Sequence, residues 1–141
     1  MATLISLLEY QIQNAQSLSD LLEQEKVAIA NRVSKDIESL AKNKLDLINQ
    51  LQQTDQRIGE HSDVDQLKTN NDFEDKVSQI QSLVAECQQM NEINGEALQR
   101  AQLSFNKLHN LMQQSRSKIG MTYNAGGQTQ TVSTLGTNIK A

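Results

Sequence analysis

No proline occurs in the 141 residues, and only two of the six glycines, Gly59 and Gly95, come before residue 120. A chain nearly free of both helix breakers over such a length is directed toward long helices before any apolar pattern is read. Its apolar share is 37%, and the aromatics are only Tyr10, Phe73, Phe105 and Tyr123. A core so poor in rings has to be built from Leu, Ile, Val, Ala and Met in thin helical layers. The length suffices for one such core and not for two.

Periodicity divides the first 120 residues into three segments. Thr3 can cap a helix over residues 4–31, in which Leu4, Leu8, Ile12, Ala15, Leu18, Leu22 and Ile29 recur at steps of three, four or seven. Ile5, Leu7 and Leu21 widen that stripe beyond a two-stranded seam, as in a helical bundle. The pattern resets at "ANRVSKDIES", where Ser34 is a candidate N-cap for a helix over 34–58. Ile37, Leu40, Leu47, Leu51 and Ile58 take its inner positions, interrupted by Lys44 and Thr54. Gly59 and "EHSD" end it, and the spacing of Ser62 and Asp65 allows one helical turn after it.

The third segment opens on "NDFE", with Asn71 as the expected cap and Glu74 reaching back to it. A heptad then runs through Phe73, Val77, Ile80, Val84, Cys87, Asn91, Asn94, Leu98, Ala101, Phe105, Leu108, Met112, Ser115 and Ile119. Arg116 and Lys118 suit the negative end of a helix, and Gly120 suits its left-handed close. At 1.5 Å per residue the three helices would measure about 42, 38 and 70 Å. The third outruns the others, so unless it folds back, part of its seam lacks a cover from its own chain. The expected architecture is all-α: an elongated antiparallel helical hairpin or three-helix coiled-coil-like bundle (residues 1–120) with a long C-terminal helix. A flexible tail (121–141) follows it.

Charge and chemistry narrow the function. The net charge is −4, with both signs interspersed, which gives no basic face for nucleic acid. One cysteine, Cys87, rules out an internal disulfide and fits a reducing, cytoplasmic setting. "MATLISLLEYQ" lacks the cationic start of a signal peptide, and no apolar run is long enough for membrane insertion. His61 and His109 stand in separate segments without metal-ligand spacing, and Gly126–Gly127 does not open a phosphate loop. Cys87 reads as a small core residue. The sequence therefore points away from an enzyme and calls for no cofactor or metal.

Two features stand out. In "MNEINGEALQ", Asn91 and Asn94 occupy successive seam positions and Gly95 follows at once. This is either a register-setting polar layer or a joint in the helix. After Gly120, the run "MTYNAGGQTQTVSTLGTNIKA" has Lys140 as its one charge and Tyr123 as its one aromatic. As a flexible coil it would reach about 25 Å, with Tyr123 as an anchor for a partner.

The order of a long helical hairpin, "NEINGEAL" in the last long helix and "TYNAGGQTQ" just after it resembles the FlgN family of flagellar export chaperones. The resemblance implies a cytoplasmic chaperone that works without ATP. Its clients would be the hook-associated proteins of the hook–filament junction, held through their amphipathic terminal helices and delivered to the flagellar type III export gate. It places the client surface on Leu98, Ala101, Phe105, Leu108 and Met112, and export-gate docking on Tyr123. Either reading of Asn91, Asn94 and Gly95, polar layer or joint, is consistent with a change of packing partner there, intrachain before and intermolecular after. The periodicity also admits a structural coiled-coil protein that self-associates through its long C-terminal helix, and it is compatible with a weak homo-oligomer.

Overall fold

A computed structural model describes residues 3–101, 106–119, 122–123 and 129–130. Among these residues the fold is all-α apart from one short strand pair. The helices are α1 (Leu4–Ala30), α2 (Ser34–Gly59), α3 (Gln66–Thr69), α4 (Asn71–Arg100) and α5 (Asn106–Lys118), followed by β1 (Thr122–Tyr123) and β2 (Thr129–Gln130).

Local chemistry sets the ends. Thr3 caps α1 as its spacing predicts, its Oγ1 accepting from the Ser6 amide at 3.2 Å. The sharp reversal into α2 comes from Arg32, which lies at φ 57 without being glycine. The Val33 amide donates to the Ala28 carbonyl and the Arg32 amide to that of Ile29, the paired bonds of a Schellman close. α2 has no side-chain cap; Val33, not Ser34, precedes its first residue, and Asp36 stands in its first turn. α4 is capped one residue earlier than the sequence suggests: the Asn70 side chain accepts from the amides of Asp72 and Phe73.

The main departure concerns the third segment. It is not one helix over 72–119: α4 stops at Arg100 and α5 begins at Asn106. Asn91 bonds Ser115 and Leu98 clusters with Leu108 and Met112, so α5 runs back along α4. A straight helix would have left Leu108, Met112 and Ile119 in water. Folded back, each is nearly fully buried, a gain of about 1.5–3 kcal/mol per side chain. The uncovered overhang expected from the helix lengths is thus closed by the chain itself.

α1 packs against α2 and α4, and α5 also lies against α2 and α4. The larger core cluster runs from Leu4 and Leu8 through Leu18, Ile48, Leu51, Ile58, Ile80 and Cys87 to Ile119. A smaller cluster at the far end joins Ala28, Ile29, Ile37, Leu98, Leu108 and Met112. Within the tail, β1 pairs antiparallel with β2, with β1 beside α4 and β2 beside α2. Gly120, expected to close the last helix, and most of the tail lie outside the described residues.

Candidate functional site

Between the two clusters sits a layer of polar side chains. Lys44 of α2 is fully buried, and its Nζ donates to Glu25 Oε2 at 2.8 Å, Glu25 Oε1 at 3.1 Å and Asn91 Oδ1 at 2.8 Å. Asn94 Nδ2 donates to the Leu22 carbonyl and to Glu25 Oε1, both at 3.0 Å. Asn91 Nδ2 donates to Ser115 Oγ at 3.0 Å, and Ser115 Oγ to the Met112 carbonyl at 2.8 Å. The layer therefore draws one or two residues from each long helix, and α5 enters it through Ser115 and the Met112 sulfur, 3.3 Å from Lys44 Nζ.

Burial lowers the pKa of Lys44 below the ordinary lysine value; Glu25 pulls it upward and Arg116 adds to the fall. A buried ion pair contributes little net stability but penalises any arrangement that separates its members. Here the penalty falls on a change of register among α1, α2 and α4. Farther along, Gln11 Nε2 donates to the Leu51 carbonyl at 2.8 Å, a second fixed register point between α1 and α2.

Gly95 explains how α5 comes so close. A methyl group built on it would stand 2.7 Å from Arg116 Nη2. The missing side chain leaves a shelf on which the Arg116 guanidinium lies, with its Nε 3.3 Å from Glu92 Oε1. The Gln52 side chain also holds the end of α5, donating to the Lys118 carbonyl at 3.1 Å. α4 is helical throughout Asn71–Arg100, so Asn91, Asn94 and Gly95 do not break it. They form the docking layer, and the chain reverses beyond Ala101.

Of the residues assigned to client contact, Leu98, Leu108 and Met112 are buried together and Ala101 is half-buried. Phe105 lies outside the described residues. Tyr123 is in β1. Sequence reasoning missed Glu25, although Leu18, Leu22, Glu25 and Ile29 keep the steps of four, three and four that mark α1's inner face. Lys44 was legible as an interruption of the α2 stripe, but its partner was not. Cys87 is buried with its thiol pushed up to about 12, a protonated core group. Among the described residues no cluster of His, Cys, Asp and Glu could hold a metal ion, and no helix is long and apolar enough to cross a membrane.

The profile of a family described as FlgN protein matches residues 1–131. The chain belongs to the FlgN family. This is a family of flagellar export chaperones and not of enzymes, and the match covers the whole bundle and the strand pair. Comparison with curated proteins and with solved structures returns no match. In this FlgN chain Leu98, Leu108 and Met112, expected to meet a client, pack against one another inside the bundle.

Proposed function

We propose that this FlgN chain is a cytoplasmic chaperone for flagellar hook-associated proteins, holding their amphipathic terminal helices and preventing premature assembly until delivery to the type III export gate. The observation that supports it is α5. A helix of 13 residues is short enough to be marginal without tertiary contacts, yet it covers the apolar end of a much longer bundle. Leu98, Ala101, Phe105, Leu108 and Met112 then mark the client surface, the seam between α4 and α5 into which a client helix enters in place of α5. Tyr123, in the tail, serves the export gate.

Two perturbations test this division. Deleting residues 121–141 should leave binding of a hook-associated terminal helix intact while secretion of the client falls; equal loss of both would refute separate surfaces. Phe105→Asp should weaken client binding with helicity preserved, measured by titration and circular dichroism. Collapse of helicity would make Phe105 a core residue instead.

A further inference from the structure

The seat of α5 is a trough between α2 and α4 whose floor carries both apolar and polar groups. Ile37 and Leu98 meet Leu108 and Met112; Asn91 meets Ser115 at 3.0 Å; Lys44 meets the Met112 sulfur at 3.3 Å. The matching face of α5 reads Leu108, Met112, Ser115, spaced by four and three. Such a floor recognises more than apolarity. A helix lacking the hydroxyl leaves the Asn91 amide unpaired, and unpaired buried donors discriminate strongly between ligands.

From this we infer that α5 is a resident stand-in for the client helix: client and α5 compete for the one trough, and Asn91 with Lys44 selects what enters. The occupant is a partner's amphipathic helix with two unbranched or γ-branched apolar residues four apart and a hydroxyl three residues further on. α5, seated there, supplies that description. Its other ties, Arg116 on the Gly95 shelf and Gln52 on the Lys118 carbonyl, lie outside the apolar face and act as latches. The inference rests on the chaperone reading for the identity of the partner but not for the existence of the trough.

The test uses the full chain and two labelled peptides: residues 106–119 of this protein, and a terminal helix of a hook-associated protein. Leu108→Asp with Met112→Asp expels the tethered α5. The 106–119 peptide should bind this variant at least ~10-fold more tightly than the parent, where the tethered helix competes at an effective concentration of about millimolar. The client peptide should displace it. A Ser115→Ala version of the 106–119 peptide should bind several-fold more weakly, and that difference should vanish when Asn91→Ala is added to the chain.

A gentler variant guards against misfolding. Ser115→Ala with Arg116→Ala leaves the apolar face intact and should raise client affinity several-fold, because a larger fraction of the chain is open. Hydrogen exchange should show α5 losing protection while α1 and α4 keep theirs. Failure of the 106–119 peptide to bind, or binding of both peptides at once, overturns the inference while the chaperone reading stands. Binding of the 106–119 peptide with no client binding to any form, the parent included, keeps the trough and refutes the chaperone reading. Dimers of the parent held by exchanged α5 helices would make a second copy the occupant and overturn the choice made here.

Discussion

Lys44→Met is the most informative single change, because it keeps the length of the buried stem and removes only its ammonium. In the native layer that ammonium meets both Glu25 oxygens and Asn91 Oδ1 at 2.8–3.1 Å. Without it, Glu25 stays buried with the Asn94 amide 3.0 Å from Oε1 as its remaining donor in the layer. Removing one member of a buried ion pair costs about 3–5 kcal/mol. That loss is a large part of the ~5–15 kcal/mol of a whole domain. Glu25→Gln combined with Lys44→Met removes both charges and should return stability to within about 1 kcal/mol of the parent. Urea unfolding followed by circular dichroism at pH 7 measures all the corners of that cycle. A single variant that loses under about 1 kcal/mol, or a double variant as unstable as the single, would refute the view of this layer as a coupled ion pair. The single variant should also release α5 first, since Lys44 touches Met112 and holds the Asn91 that bonds Ser115.

Three further outcomes follow from particular residues. Arg32→Gly relieves the left-handed backbone at φ 57 and should stabilise the protein by about 1 kcal/mol, read as a higher urea midpoint with unchanged slope. Gly95→Ala gains about 1 kcal/mol of helix propensity but displaces the Arg116 guanidinium. That partly exposed pair is worth under about 1 kcal/mol, so the melting temperature should hold or rise while α5 amides exchange faster. With alkaline pH, Lys44 and Cys87 act in opposite senses. The folded state gives up the Lys44 proton before the unfolded state does, so this group's contribution rises with pH toward its unfolded value of 10.5. The folded state keeps the Cys87 proton longer, so that contribution is full below 9.0 and is lost between 9.0 and about 12. Unfolding curves of Cys87→Ala should therefore lack the fall above pH 9, and those of Lys44→Met should lack the opposing rise.

The sequence alone determined the helical class, the ends of α1 and α2 to within a residue or two, the place of Asn91 and Asn94 on the α4 seam, and the family. These are local or periodic properties: absence of breakers, apolar recurrence and two short elements. The inner face of α2 was read slightly off its true line. Ala41 and Ile48 are buried, while Leu40 and Leu47 are partly covered, because a heptad drifts around a 3.6-residue helix over seven turns. What tertiary structure decided was the fate of the last seam. Leu98, Leu108, Met112 and Ser115 keep one heptad whether the chain runs straight or doubles back, so spacing cannot distinguish the two. The choice depends on whether α2 and α4 offer that seam a place, through Lys44, the Gly95 shelf and Ile37, residues far apart in sequence that become a trough only when the bundle is formed.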